Sequence, residues 1–479
     1  MQSVAAALAR LAEVAASPAV SRLAAAFEKA GHELALVGGP VRDAFLGRDA
    51  HDLDFTTDAV PDRILEIVRP ISEAHWDIGR QFGTIGAKIA GETVEITTYR
   101  ADSYDGASRK PDVVFGESLE DDLLRRDFTV NALALRLPHL QLVDPSGGVE
   151  DMLEGRLRTP ASPLISFGDD PLRMLRACRF TAQLDFLVDD DTEAALLELA
   201  PSIRRISAER IGEELSKLLK TDAPRRGLEL LVDSGLAAIV LPELPALRLE
   251  MDEHHHHKDV YQHSLTVLDQ AIGYEKSRGV LHSPDLVLRL AALLHDIGKP
   301  ATRKLESGGV VSFYHHDVVG AKLARKRLRE LRYDNDTISA VSRLIELHLR
   351  FFGYTDGVWT DSAVRRYVRD ADDQLERLHI LTRADVTTRN RRKADRLAFA
   401  YDDLEKRIAV LAEQEEMAAV RPDLDGEQIM AILGISPGPL VGAAYRYLLE
   451  VRLDEGPLEP PDAEARLREW WQQQQAAGA

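Results

Sequence analysis

Apolar and polar positions divide the chain into two unlike parts. From about residue 22 to 160, short apolar runs alternate with stretches of helical spacing. Residues 34–37, 53–56, 83–89, 93–99 and 132–137 carry the strand pattern. Residues 21–30, 41–46 and 61–68 carry the helical one. This predicts a small mixed α/β domain. Beyond it the pattern is helical: 190–199, 206–219 opened by a Ser207 cap, and 223–241 broken at Gly235. An apolar helix over 290–299 follows. From 397 onward the chain is helical and charged, with a break at 421–425, a small helical module at 424–434, a segment at 440–449, and a last helix carrying Trp470 and Trp471. Residues 1–10 are Ala-rich and lack a basic stretch ahead of an apolar one, so they are expected to form an amphipathic helix and not a signal peptide. The fold class expected is α+β.

The densest chemistry lies in residues 34–57. A buried strand signal runs into Gly38 and Gly39, a turn at which bare backbone can approach a ligand. The helical turn at 41–46 follows, and such a junction leaves backbone N–H groups free for an anion. After Gly47 comes a second strand signal, 51–56, with Asp52 and Asp54. Residues two apart on a strand share a face. The two carboxylates therefore project together and repel unless a cation sits between them. Hard divalent cations such as Mg²⁺ take oxygen ligands. A phosphate cradle beside a carboxylate pair points to two-metal phosphoryl or nucleotidyl transfer. Glu95 lies on the alternating strand at 93–99. It is either a third carboxylate facing the pair or an exposed polar residue on a half-buried strand. Residues 100–116, rich in Asp, Ser, Gly, Lys and Pro, are expected to form a flexible loop.

With Gly38, Gly39, Arg42, Asp52 and Asp54 in this order, the stretch resembles the signature of polymerase-β-like nucleotidyltransferases. More narrowly, it resembles the head domain of bacterial class II CCA-adding tRNA nucleotidyltransferases and their poly(A) polymerase relatives. Residues 120–133 hold Arg125, Arg126, Asp127, Phe128, Thr129 and Asn131, similar to a motif of that family that contacts nucleotide sugar and phosphates. The resemblance implies nucleotide binding by Gly38, Gly39, Arg42, Arg126, Asp127 and Asn131, and catalysis by Asp52, Asp54 and Glu95 with Mg²⁺ on the aspartates. Arginine suits triphosphate oxygens. Residues 144–153 are expected to be a turn leading out of the head.

A helix is expected to begin within 167–180, with Pro171 in its first turn. Asp170, Arg173, Arg176 and Arg179 recur every three residues, along one slowly rotating face. An ionised Asp170 only accepts hydrogen bonds and Arg173 only donates. Cytosine and adenine each offer an amino donor beside a ring acceptor, which matches such a pair. Guanine and uracil set a carbonyl against the carboxylate and a ring N–H against the arginine. An Asp/Arg pair therefore admits CTP and ATP and rejects GTP and UTP without a template, and a mismatched polar site discriminates by ~10⁴ or more. The region resembles the Glu-Asp-x-x-Arg motif of the class II enzymes, with Asp169 in place of its glutamate. Arg176 and Arg179 are then expected on the triphosphate or near the base.

A second constellation comprises His263, His295, Asp296, His316, His348 and Asp385. In this order it resembles the HD superfamily of metal-dependent phosphohydrolases. The resemblance implies a first metal site at His263, His295, Asp296 and Asp385. It implies a second site, or a phosphate contact, at His316 and His348. Such ligands suit Mn, Fe, Ni or Zn better than Ca. His254 to His257 look like an affinity tag but lie inside the chain.

The resemblances imply a nucleotidyltransferase head of mixed sheet and helices over 1–160, with the N-terminal helix. An all-α neck for base selection and RNA binding follows over 161–250, then an HD domain over 251–400 and a helical tail over 401–479. The 479 residues suffice for several cores. The net charge of −19 argues against a generic nucleic-acid binder, but local arginine clusters at 125–126, 173–179, 204–210, 225–226, 325–329 and 389–392 remain available for RNA. No apolar run approaches the ~20 residues that span a bilayer. Cys178, the single cysteine, excludes an intrachain disulfide and fits a reducing cytoplasm. The expected activity is CCA addition to tRNA 3′ ends from CTP and ATP. A poly(A) polymerase or an A-adding enzyme shares these motifs. An HD phosphohydrolase and a tRNA-binding protein with vestigial sites are readings from other classes.

Overall fold

The computed structural model describes residues 3–49, 52–101, 114–116, 118–248, 259–307, 311–351, 353–354, 359–388, 390–415 and 421–477. It falls into two compact units, Met1–Leu241 and Pro242–Ala479.

The first unit opens with α1 (Val4–Ala16) and α2 (Pro18–Ala30), each started by a serine, Ser3 or Ser17, whose hydroxyl accepts from a first-turn amide. Then come β1 (Leu34–Val37), α3 (Gly39–Leu46), β2 (Leu53–Thr57), α4 (Pro61–Val68), β3 (Ala74–Trp76), β4 (Thr84–Ile89), β5 (Glu92–Thr98), β6 (Arg100–Ala101), β7 (Val114–Phe115), α5 (Leu119–Leu124), β8 (Ala134–Leu137) and β9 (Gln141–Val143). Seven strands form one sheet in the order β3-β4-β5-β2-β1-β8-β9. β2 and β5 run parallel, setting Asp54 opposite Glu95, in an otherwise antiparallel sheet. β1 is buried along its whole length, as its unbroken apolar run requires. Ala35, Val37, Tyr99, Leu119, Leu123, Ala132, Ala134 and Val143 close the core beneath α5.

The rest of this unit is α6 (Gly148–Glu154), β10 (Arg156–Leu157), α7 (Pro163–Asp169), α8 (Leu172–Leu184), β11 (Leu187–Val188), α9 (Asp190–Leu199), α10 (Ala208–Leu219), α11 (Arg225–Asp233) and α12 (Ala237–Val240). α8 packs on α10 and α11. The α11 contact needs Gly227, where an added Cβ would come within 2.3 Å of the Cys178 carbonyl oxygen.

In the second unit α13 (Val260–Arg278), α14 (Leu286–Leu294), α15 (Lys299–Thr302), α16 (His316–Glu330) and α17 (Asn335–Leu347) pack with the helix Leu375–Ala384. The buried Arg289 guanidinium donates to both oxygens of the buried Glu275 carboxylate at 3.0 Å, tying α14 to α13. Helices Gly426–Leu433, Pro439–Glu455 and Pro460–Ala477 share a separate small core around Leu424, Ile429, Leu448 and Leu467. Asp425 and Gln428 cap the first of them reciprocally.

Three expectations need correction. The helix expected within 167–180 is two helices, because Pro171 lacks an N–H and pushes Asp170 to extended backbone (φ −130°, ψ 95°). The turn at 144–153 contains α6, whose first amides are capped by the Asp144 carboxylate. The loop at 100–116 starts and ends in the paired strands β6 and β7, and its middle lies outside the described residues. So do His254 to His257. Strands β3 and β9 are too short to leave a periodic signal. Among the described residues no single helix is long and apolar enough to cross a membrane.

Candidate functional site

Asp54 and Glu95 come from neighbouring parallel strands and line a cleft of about 330 Å³ together with Arg100, Arg125, Arg126 and Arg173. Burial, the Glu95 charge and the more distant Asp52 raise the Asp54 pKa above its ordinary value, while Arg126 opposes them. Asp52 is exposed just before β2. Glu95 is exposed, and its charge acts on Asp54. A carboxylate whose charge is penalised by two others suits a cation. Asp122, which the sequence did not single out, accepts from the Arg100 amide (3.1 Å) and from Arg126 (3.3 Å). Gly38 takes a positive φ of 73°, and a Cβ there would stand 3.3 Å from Arg126 Nη1. Bare backbone thus lets that arginine lie against the turn. Gly39 opens α3.

Arg42 departs from expectation. It is buried, and donates from Nη1 to Asn131 Oδ1 (2.7 Å) and from Nε to Asp43 (2.9 Å). Asn131 donates in turn to Asp127 Oδ1 (3.0 Å), and Arg176 Nε donates to Asp127 Oδ2 (2.7 Å). Arg42, Asn131, Asp127 and Arg176 are therefore one internal chain that joins α3 to α8. Arg179 is held by Glu214 and by Gln183 (2.8 Å). The Arg42, Arg176 and Arg179 guanidiniums surround the Phe180 ring at 5.5, 5.5 and 4.1 Å.

This chain has a pH signature. Burial pushes the Asp127 carboxyl up, but Arg176 and the Asn131 amide outweigh it and hold its pKa down at about 2. A depressed folded-state pKa gives stability that is present above the unfolded value and lost as pH falls through the folded one. Between about pH 4 and pH 2 the protein is expected to lose roughly 2 kcal/mol that an Asp127→Asn variant does not lose. Denaturant titrations of both proteins across that range measure the difference.

Asp170 sits between α7 and α8, so it and Arg173 do not share one continuous helix. Asp170 Oδ1 accepts the Leu172 amide (3.2 Å) and Oδ2 accepts Arg210 Nη2 (3.1 Å). Arg173 donates from Nη1 to Ser166 Oγ (2.7 Å) and from Nη2 to the Arg125 carbonyl (2.6 Å). Arg210 was visible only as a member of an arginine cluster. Ser166 carried no sequence signal at all.

In the second unit six side chains converge. His263 Nε2 lies 2.9 Å from Asp385 and 3.6 Å from Asp296. His295 Nε2 lies 3.3 Å from Asp296, and His316 Nε2 lies 3.4 Å from the other Asp296 oxygen. Two groups of ligand atoms result: His263, His295 and Asp385, and Asp296, His316 and His348. The sequence had placed Asp296 in the first. The structure groups it with His316 and His348 while keeping it close to His263 and His295, so it bridges both.

His295, His316 and His348 each donate Nδ1–H to the carbonyl three residues earlier, Ala292 (2.9 Å), Phe313 (2.8 Å) and Ile345 (2.6 Å). That fixes the tautomer and turns the Nε2 lone pair inward. All three Nε2 atoms are buried without a hydrogen-bond partner. Burial disfavours a charged His295, yet Asp296 and Asp385 outweigh it and hold the pKa up at about 10, so a cation taking the His295 Nε2 lone pair displaces a proton there. Burial and the neighbouring His295 charge push His348 down to about 4. Inward lone pairs beside two carboxylates fit a divalent cation.

Three family models match the chain: the poly A polymerase head domain over 34–158, a probable RNA and SrmB-binding site of polymerase A over 185–247, and the HD domain over 260–390. An A-adding tRNA nucleotidyltransferase of Deinococcus radiodurans is 33% identical over 91% of this chain and 95% of its own length. A CCA-adding enzyme of Lactobacillus helveticus is 41% identical over 44% of this chain and 52% of its own length. In fold, the chain is similar to the Bacillus stearothermophilus CCA-adding enzyme in complex with CTP, with a TM-score of 0.70, 24% identity and coverage of 96% of this chain and 100% of that one. It is also similar to the Thermotoga maritima CCA-adding enzyme complexed with tRNA, with a TM-score of 0.60, 18% identity and coverage of 97% and 98%.

Proposed function

The chain belongs to the tRNA nucleotidyltransferase family, and on that premise we propose that it adds CMP, CMP and AMP in turn to tRNA 3′ ends, using CTP and ATP and releasing pyrophosphate. The observation that carries the reading is the cleft in which Asp54 and Glu95 meet four arginines, a surface suited to a polyanion and a cation together. The primer 3′ oxygen forms a bond to the α-phosphorus, and the bond to the β-bridging oxygen breaks. The hydroxyl proton passes toward solvent by way of the exposed Glu95. Arg126 and the turn at Gly38 and Gly39 hold phosphate oxygens. Asp170 and Arg173 read the base edge. Arg42, Asp127, Asn131, Arg176 and Arg179 hold α3, α8 and the sugar-facing segment in place. Mg²⁺ held by Asp52 and Asp54 supplies charge neutralisation at the triphosphate when bound. The RNA is read by backbone shape, and a tRNA substrate fits a cytoplasmic enzyme.

The test supplies tRNA transcripts lacking CCA, ending in C or ending in CC, with CTP, ATP, both, or GTP and UTP. Ordered addition of C, C and A that then stops supports the proposal. One specific observation favours a second reading: the relative matched over nearly its whole length is named an A-adding enzyme. Addition of A alone, only to the CC end, would establish that reading. Repeated addition of A to any RNA would mark a poly(A) polymerase.

For the second unit we propose a transition metal, Mn, Ni, Fe or Zn, held by His263, His295, Asp296, His316, His348 and Asp385, and hydrolysis of a phosphate ester at an RNA end. Asp296 touches both ligand groups, so Asp296→Asn is expected to lower metal bound per chain at least about tenfold. Elemental analysis of the purified variant measures it, and unchanged metal content would sink this assignment.

A further inference from the structure

We propose that Ser166 is the positioning residue that sets base selection, an inference that rests on Asp170 and Arg173 being the base-reading pair. Ser166 is 4% exposed. Both members bond to it: its Oγ accepts Arg173 Nη1 at 2.7 Å, and its backbone carbonyl accepts the Asp170 amide at 3.3 Å. Its own amide is bonded to the Ser162 carbonyl at 2.9 Å, which anchors it in α7. The Arg125 carbonyl takes Arg173 Nη2.

A guanidinium is a rigid planar fork. Two acceptors on two different nitrogens fix its plane and its rotation, and so fix where the remaining N–H groups point. The distinction between cytosine or adenine and guanine or uracil at this site is the distinction between a ring acceptor and a ring N–H. That distinction is lost when the donors can swing. Pro171 keeps Asp170 off the helix, so the carboxylate is oriented by its hydrogen bonds and not by helical backbone. The Ser166 carbonyl ties its backbone, while Leu172 and Arg210 hold its oxygens. Ser166 thus holds the donor of the pair by its buried hydroxyl and the backbone of the acceptor by its carbonyl.

The full chain and its Ser166→Ala, Ser166→Thr, Asp170→Ala and Arg173→Ala variants are given tRNA lacking CCA or ending in CC, with CTP, ATP, GTP or UTP singly, and kcat and KM are taken for each. Ser166→Ala is expected to lower kcat/KM for CTP and ATP about tenfold and to cut their preference over GTP and UTP by a similar factor. The KM for tRNA and the unfolding midpoint should stay where they are. Ser166→Thr keeps the hydroxyl and should restore the preference. If Ser166→Ala keeps full preference while Asp170→Ala and Arg173→Ala lose it, this inference alone is overturned. If those two variants also keep it, the base-reading pair is wrong and the inference falls with it. A lowered midpoint in Ser166→Ala, with no recovery of preference in Ser166→Thr, would make Ser166 a structural residue and likewise overturn the inference.

Discussion

Replacing Asp52 and Asp54 together with alanine is expected to reduce nucleotide addition at least about 10⁴-fold while the chain stays folded. Charge stabilisation by a bound metal is worth several kcal/mol in such reactions, and about 1.4 kcal/mol is tenfold in rate. Without these carboxylates the cleft keeps its arginines and still binds triphosphate, so the loss should fall on kcat more than on the KM for nucleotide. A second measurement separates chemistry from folding. Burial and Glu95 raise the Asp54 pKa, so folding works against its charged form. Asp54→Asn should therefore be inactive yet unfold at the same temperature as the parent or a few degrees above it. A variant that is inactive because it has melted would show the opposite shift.

Asp170→Ala should produce the next largest effect, on selectivity. It is expected to shrink the preference for CTP and ATP over GTP and UTP by about 10³-fold, since a hydrogen-bonding site can discriminate by ~10⁴. The loss comes mainly from poorer use of the right nucleotides, whose amino groups lose their acceptor. The carboxylate also accepts from Arg210 and the Leu172 amide, so Asp170→Asn gives the cleaner contrast. It keeps an oxygen for one of those donors but adds N–H groups toward the base. Single-turnover rates with each of the four nucleotides would show it. An unchanged ranking of the four would place base choice elsewhere in the cleft.

Much of the first unit was legible because its elements follow local rules. β1 was visible as an unbroken apolar run, and β5 as an alternating one. The Gly38–Gly39 turn and the aspartate pair were visible as residue types at fixed spacing. The pairing of Asp54 with Glu95 was not, since the two lie 41 residues apart in sequence and only the parallel register of β2 and β5 joins them. The Asn131 partner of Arg42 was hidden for a related reason. An arginine after a glycine turn suggests phosphate, yet in the structure its guanidinium also bonds to Asn131, 89 residues on, in a turn packed against α3. Ser166 left no trace because a serine in a short helix is unremarkable until the chain folds back on it. The histidines of the second unit were legible as a set because metal-ligating types are few. Which of them Asp296 joins was decided by packing.

Most of the groups proposed to hold a metal in the second unit stand at helix ends. His295, His348 and Asp385 follow the last turns of their helices, and His316 opens the first turn of α16. No two of these ends are fixed relative to each other except by the packed helices themselves. A cation held there binds the folded unit and has little to hold on to in the unfolded chain. By mass action it then adds about 2.7 kcal/mol to stability when present at a hundred times its dissociation constant. The melting temperature of this half of the chain is thereby a titration curve for its metal, and affinities for Mn, Ni, Fe and Zn can be ranked before any substrate is known.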